Sequence, residues 1–153
     1  MKQNNIDNPD RAAIAAFIDG GLQNGQIDSS PLLKALKCQI LDASTQYIRL
    51  RFEPGIAHVQ GNGVICGGIV ATMLDFALAF AALTTCARGE SAISVGLNVN
   101  YIGPVFIGPT VVEAGLVSNK FRFAQAEAKL CNLEGVVLAT ATSPLAMKRY
   151  GKA

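Results

Sequence analysis

One carboxylate stands alone in the longest apolar run of this chain, GVICGGIVATMLDFALAFAALTTCA, from Gly63 to Ala87. A buried carboxylate such as Asp75 costs free energy unless it is hydrogen-bonded or takes part in chemistry. On a helix that begins near Gly67, Asp75 shares one face with small residues, which leave room for a ligand. The alternative is a structural aspartate that bonds to neighbouring backbone, and the residues alone leave both interpretations open.

The predicted helix has two stripes of different size. The bulky stripe is expected to pack on a sheet, and the small stripe, with Asp75, is expected to face the ligand. The bulky residues are Ile69, Met73, Phe76, Phe80 and Leu83, and the small ones are Gly68, Ala71, Thr72, Ala79 and Ala82.

The start of this helix is a second candidate element. Cys66-Gly67-Gly68 would present bare backbone N–H groups at the positive end of the helix dipole, which suits an anion or a carbonyl oxygen that is becoming one. The alternative is that the two glycines only allow close packing. Gly67 and Asp75 lie about 12 Å apart along one helix, too far to act on the same carbonyl. If both are catalytic, the site must be shared between two antiparallel copies of the helix.

The elements that would position these residues are read from periodicity and turn signals. A short helix is predicted from Asp10 to Asp19, ended by Gly20-Gly21, and a helical turn is predicted in SSPLLKAL. Strands are predicted at Lys37–Asp42, Tyr47–Glu53, Ile93–Tyr101, Thr110–Ser118, Phe121–Asn132 and Val136–Lys148, with a hairpin turn at residues 132–135. A helix apolar all round must be covered, so we expect an α+β fold in which an antiparallel sheet wraps one central helix.

Composition excludes several classes of protein. The chain has 153 residues, 50% hydrophobic and only 16% charged, which favours one domain with apolar surface buried against other copies. A net charge of +2 argues against a nucleic-acid partner. The N-terminal residues lack the apolar stretch of a signal peptide, and Asp75 disfavours a membrane span at Ile69–Ala87. Four scattered cysteines and one histidine predict reduced thiols in a cytoplasmic protein without a metal site.

Two segments, HVQGNGVICGGIVATMLDFALA and ISVGLNVNYIGPV, resemble the hotdog-fold acyl-CoA thioesterases of the phenylacetate-degradation (PaaI-like) group. That group has H-x-N-x-x-G-x-x-H-G-G followed by a helical Asp. The likeness runs from about Ser30 to Lys148, so it implies one thioesterase domain at residues 30–153 and an N-terminal extension with a short helix at residues 1–29. The implied activity is hydrolysis of acyl-CoA or aryl-CoA by a homodimer or homotetramer. No cofactor is implied, because coenzyme A is part of the substrate.

The resemblance also assigns roles. Asp75 becomes the nucleophile or general base, the Gly67 N–H the oxyanion donor, Gln60 a contact to the thioester or water, and Ser94 a group that helps position the water. Residues expected to line the substrate are His58, Gly63, Cys66, Gly68, Ala71, Ala79, Arg88, Lys120 and Arg122. His58 is expected to orient its loop rather than transfer protons.

Two positions depart from the family pattern and keep rival functions open. Gln60 stands where Asn is usual, and Cys66 replaces the His of HGG. Cys66 is either a reactive thiol or a plain small residue. The cations Arg88, Lys120 and Arg122 either meet CoA phosphates or are ordinary solvated strand charges. A dehydratase is disfavoured because the lone histidine precedes the helix, whereas a non-catalytic acyl-CoA-binding module or sensor remains an alternative.

Overall fold

The computed structural model describes residues 6–149, which form three α-helices and seven strands. The helices are α1 Pro9–Ile18, α2 Pro31–Ala35 and α3 Gly67–Leu83, and a single 3₁₀ turn covers Ile56–His58. The strands are β1 Gln39–Ser44, β2 Tyr47–Phe52, β3 Glu90–Ser94, β4 Asn98–Tyr101, β5 Thr110–Lys120, β6 Phe123–Cys131 and β7 Val137–Arg149.

The sheet is antiparallel throughout and runs β1-β2-β5-β6-β7-β3, with β4 paired to β7 next to β3. It curls around α3, whose residues Met73, Leu74, Ala77 and Leu78 have no exposed surface. The predicted architecture of one long helix wrapped by an antiparallel sheet is therefore confirmed. The apolar run of α3 exists because the sheet covers this helix from several strands.

The strand predicted at Ile93–Tyr101 is interrupted and forms two strands, β3 and β4, so the sheet has seven strands where six were expected. Residues 95–97 leave the ladder, where the Ser143 hydroxyl donates to the Gly96 carbonyl at 2.6 Å. The predicted alternation does not hold through the whole segment, because the register on β7 shifts by one residue between β3 and β4; Val99 is half-buried against the core, whereas most of the other apolar residues are exposed, contrary to the half-buried strand that was expected. Ile93, Val95, Leu97 and Tyr101 are 47%, 63%, 42% and 57% exposed. The segment lies at the end of the sheet, where this chain supplies no further layer.

The prediction that α3 has a covered stripe of bulky residues and an open stripe of small residues is only partly correct. Ala82, expected on the ligand-facing stripe, is fully buried, whereas Ile69 and Phe76 of the bulky stripe are only half-buried. The Phe76 ring leans on the Phe80 ring, with centroids 5.7 Å apart. The sheet surrounds the C-terminal half of the helix so closely that small side chains pack there too. A contrast of large and small residues therefore does not divide covered from open faces.

The N-terminal extension packs on the same core. Asn8 caps α1, as its side chain accepts the N–H groups of Asp10 and Arg11, and its amide donates to the Ser91 hydroxyl at 2.7 Å. Ile14 and Ile27 are buried in the cluster that contains α3. The predicted second helical turn is confirmed as α2, which Ser30 caps through the Leu33 N–H. The domain boundary at residue 30 stays a prediction.

Candidate active site

Asp75 lies in the middle of α3, half-buried, and is held by a hydroxyl from the neighbouring strand. The Ser94 Oγ donates to Asp75 Oδ1 at 2.7 Å from the last residue of β3. Within residues 6–149, no other hydrogen-bond donor and no cation contacts this carboxylate. Ser94 thus fixes the direction of the carboxylate and leaves its second oxygen open to a ligand. The structure brings these two predicted site residues together, although a direct bond between them was not predicted, and their roles stay proposals.

The start of α3 presents unpaired backbone donors. The Cys66 carbonyl accepts the N–H groups of Ile69 and Val70 at 2.9 and 3.1 Å, which closes the first helical turn. Neither Gly67 nor Gly68 donates its N–H to an acceptor in the described part of the chain. Gly68 is exposed and Gly67 is half-buried. The geometry of a bare helix start, expected from the two glycines, is present.

Tyr101 was not predicted as a site residue, yet it covers this helix start. Its hydroxyl donates to the Gly67 carbonyl at 2.9 Å, and a Cβ built on Gly67 would lie 3.4 Å from the ring. Tyr101 is the last residue of β4, so this contact joins the end of that strand to the start of α3. The sequence held only a faint signal for this contact, an exposed aromatic residue that ends an alternating strand.

The loop before α3 is tied to the helix start by backbone bonds. His58 Nδ1 accepts the Gly55 N–H at 3.0 Å, and the His58 carbonyl accepts the Cys66 N–H at 2.8 Å. Gln60 is exposed in the turn between them, and Gly63 has a φ of +83°, which favours glycine. The histidine therefore fastens the loop, while the loop carries Gln60 close to the helix start in sequence and structure.

Of the four cysteines, Cys66 is exposed and is the N-cap residue of α3. Burial raises the pKa of the Cys38 thiol to about 12 and that of the Cys86 thiol to about 11. Burial also raises the pKa of Cys131. Cys38 and Cys86 are therefore inert core residues, as predicted, and Cys66 is the thiol that a ligand at the helix start would meet.

The predicted phosphate-binding cations lie at the other end of α3 from Gly67. Arg122 lines a surface cavity of about 140 Å³ together with Lys148 and Arg149, two cations that sequence reasoning missed. Arg149 pairs with Glu90 in the β3–β7 ladder, so the Arg88 turn reaches the same end. In residues 6–149 none of these cations forms an ion pair. We call this surface the basic end; it comprises Arg88, Lys120, Arg122, Lys148 and Arg149.

Two further residues predicted to contact the substrate, Ala71 and Ala79, lie on α3. Ala71 and Ala79 are half-buried on α3 on either side of Asp75, so both can line a ligand.

No helix among the described residues is long and apolar enough to cross a membrane. Among the same residues, no three His, Cys, Asp or Glu side chains are grouped closely enough to hold a metal ion.

Comparison with known proteins bears on the family. A family model described as the thioesterase superfamily matches residues 62–139, half of the chain. A Halobacterium salinarum protein named for an inferred esterase activity is 32% identical over 96 residues, covering 60% of this chain and 63% of the relative. Acyl-coenzyme A thioesterase 13 of Mus musculus is 28% identical over 76 residues, and the match covers 50% of this chain and 54% of the mouse protein. The matches therefore span just over half the length of these relatives.

Solved structures agree on the fold. A phenylacetic acid degradation-related protein of Ralstonia eutropha JMP134 superposes with a TM-score of 0.76 at 19% identity, over 88% of this chain and 98% of that one. A thioesterase family protein from Silicibacter pomeroyi gives a TM-score of 0.76 at 22% identity, over 89% and 98%. With the family match over the helix that carries Asp75, these structures lead to one conclusion. The chain belongs to the thioesterase superfamily and has its hotdog fold.

Proposed function

We propose that this protein hydrolyses acyl-CoA thioesters, and that each active site is built from two copies of the chain. The observation that carries the proposal is the Ser94–Asp75 hydrogen bond on a half-open helix face, combined with bare N–H groups at the start of the same helix. One element supplies a carboxylate oriented for attack, and the other supplies donors for an oxyanion. Hydrolysis of a thioester needs both.

The proposed reaction uses the open oxygen of Asp75. As general base it accepts a proton from water while the water oxygen bonds to the thioester carbonyl carbon, and the carbonyl oxygen becomes an oxyanion at the Gly67 N–H. Collapse of this intermediate breaks the carbon–sulfur bond, and the proton moves to the departing thiolate. As nucleophile, Asp75 would instead attack the carbonyl carbon and displace the thiolate, which gives an acyl anhydride; water then cleaves the anhydride, releases the acid and restores the carboxylate, and its proton passes to the thiolate. Either route needs an ionised carboxylate.

Two other residues complete the proposed machinery. The Ser94 hydroxyl, by donating to Oδ1, keeps the free oxygen of Asp75 pointed at the water or carbonyl. The Gln60 side chain, exposed in the loop tied to Cys66, contacts the thioester or the attacking water. Cys66 stands beside the oxyanion donor, and its thiol shapes the thioester end of the pocket.

The shared site follows from distance. Gly67 and Asp75 lie eight residues apart on one helix, about 12 Å, whereas an oxyanion donor and a base must both lie about 3 Å from the reacting atoms. Along the sheet edge, Ser94 lies beside Asp75 and Tyr101 lies beside Gly67. The chain therefore runs along the edge from the Asp75 end to the Gly67 end, which is opposite to its direction along the helix.

A second copy can complete the site through this edge. If two edges pair antiparallel about a two-fold axis between Leu97 and Asn98, Ser94 of each copy meets Tyr101 of the other, because the two residues are equally far from the axis. The Gly67 of one helix then approaches the Asp75 of its partner. The exposed apolar residues of β3, β4 and the loop between them would be buried in the same contact.

The CoA end of the substrate is assigned to the basic end, which extends the predicted set of Arg88, Lys120 and Arg122 by Lys148 and Arg149. Glu90 also lines this cavity, but none of the five cations forms an ion pair within the described residues, and phosphates would supply partners. Phe121, fully exposed at the tip of the β5–β6 hairpin, offers a face on which the adenine can stack. The acyl group then lies along α3 near Ala71 and Ala79.

A panel of acyl-CoA and aryl-CoA substrates, assayed by release of free thiol, tests the function. Asp75→Asn keeps the shape and removes the charge, so turnover of the best substrate should fall by roughly 10²-fold or more while acyl-CoA still binds. A folded Asn variant with near wild-type turnover would refute the catalytic role of Asp75. Saturable binding of acyl-CoA by the wild type without thiol release would favour the non-catalytic binding module instead.

A further inference from the structure

The start of α3 combines two glycines, and glycine is the residue that gives the backbone most freedom. Bare N–H groups stabilise an oxyanion only if they are held in place before the reaction, since reorganisation would cost the energy they supply. The peptide plane that carries the Gly67 N–H is fixed by the Cys66 carbonyl, which accepts two helical N–H groups. The next plane, between Gly67 and Gly68, carries the Gly68 N–H.

That second plane, whose Gly67 carbonyl belongs to the first turn of α3, is also held from outside the helix. The Tyr101 hydroxyl donates to the Gly67 carbonyl at 2.9 Å, and its ring lies against the Gly67 α-carbon. The third carbonyl in line, that of Gly68, accepts the Thr72 hydroxyl at 2.8 Å. Tyr101 is the contact that comes from another element, so it joins the helix start to the sheet edge.

We propose that Tyr101 is a positioning residue that orients the Gly68 N–H, so that this group points to the same acceptor as the Gly67 N–H. Its effect on catalysis rests on the thioesterase function proposed above, whereas its effect on the backbone does not. Tyr101 makes no contact with Asp75, so it acts on the oxyanion side of the reaction and not on the base. A Cβ at residue 67 would lie at ordinary contact distance from the ring, so the tyrosine packs directly on this glycine.

Tyr101→Phe tests this with the loss of one oxygen atom. The ring is 57% exposed, so Phe fits without strain. We expect kcat to fall about tenfold, the value of one hydrogen bond of about 1.4 kcal/mol, with KM nearly unchanged. The matched control is Tyr47→Phe, which removes the same atom from β2, on the other side of the sheet.

A backbone measurement stands beside the kinetics. With ¹⁵N-glycine labelling, the order parameters of Gly67 and Gly68 should fall in Tyr101→Phe and stay at wild-type values in Tyr47→Phe. Unchanged order at both glycines would overturn the proposal, as would wild-type kcat in an enzyme that is active. If the wild type releases no thiol, the proposed function fails, and the order parameters still decide the role of Tyr101.

Discussion

The shared active site can be tested by restoring activity from two inactive variants. Asp75→Asn removes the base. Gly67→Pro removes the Gly67 N–H, which is assigned to the oxyanion, because proline has no amide hydrogen. Proline suits this position, which is the first residue of α3, and the preceding Cys66 has φ −54° and ψ 135°, the extended conformation that a following proline requires.

Each variant should be nearly inactive as a homodimer. Loss of an oxyanion donor costs about 10²- to 10³-fold in kcat, and loss of a general base a similar factor. In a heterodimer of the two, one site combines Gly67 of the first chain with Asp75 of the second and is intact, whereas the other site lacks both. Equal mixing makes about half of the dimers heterodimers, so the expected activity is about one quarter of the wild-type value.

The assay is thiol release by the two variants refolded together, compared with each variant refolded alone. Gly67→Ala serves as the steric control, since it adds a Cβ at 3.4 Å from the Tyr101 ring but keeps the N–H. A mixture no more active than the sum of its parents would refute the shared site. Full activity of a monodisperse monomer at micromolar concentration would refute it as well.

Three further results are expected. Reversing the charges of Arg122, Lys148 and Arg149, which line the cavity of the basic end, should raise KM for acyl-CoA about tenfold at low salt and less at high salt. The KM for an acyl-pantetheine should stay unchanged. Charge reversal at the exposed Lys34 is the control. Hydrogen bonds from Arg11 and the Gly89 N–H lower the pKa of Asp7 to about 2. The ionised Asp7 therefore stabilises the fold at any pH above its ordinary pKa, and this contribution is lost as the pH falls from about 4 to about 2. Denaturant titrations at pH 7 should show a loss of about 1 to 2 kcal/mol in Asp7→Asn and almost none in the exposed Asp28→Asn; equal stability of the two would contradict the assignment. A thiol reagent should modify Cys66 first, in a fast phase that Cys66→Ser abolishes, and protection by acyl-CoA would place the ligand at the helix start.

The parts of the fold that the sequence predicted correctly are those set by local chemistry. The hairpin turn at residues 132–135 is an example, since the Asn132 side chain accepts the Val136 N–H and Gly135 has a φ of +82°. The capped starts of α1 and α2 are others. Each depends on side chains within a few residues of the backbone groups that they satisfy, so residue type and spacing suffice.

The parts that could not be predicted depend on contacts between distant segments. The hydroxyl of Tyr101 and the carbonyl of Gly67 are thirty-four residues apart in sequence, and only the placement of β4 beside α3 joins them. Arg122 meets Arg149 at one cavity because β6 and β7 pair antiparallel. Likewise, Ala82 is buried because the sheet curls around it. A periodicity assigns a residue to a face of its own element, but it does not say what lies opposite that face.

The sheet edge of β3 and β4 shows how the fold and the site depend on each other. Natural sheets protect exposed edges with charges, prolines or bulges, because an unpaired edge recruits other strands. From Ser91 to Tyr101 there is no charged residue and no proline, and four large apolar or aromatic side chains lie exposed. In the proposed dimer, two-fold pairing would bury this edge and bring Gly67 of one copy to Asp75 of the other. Because neither helix alone could complete the proposed site, the contact that covers the exposed edge would be the same contact that forms the active site.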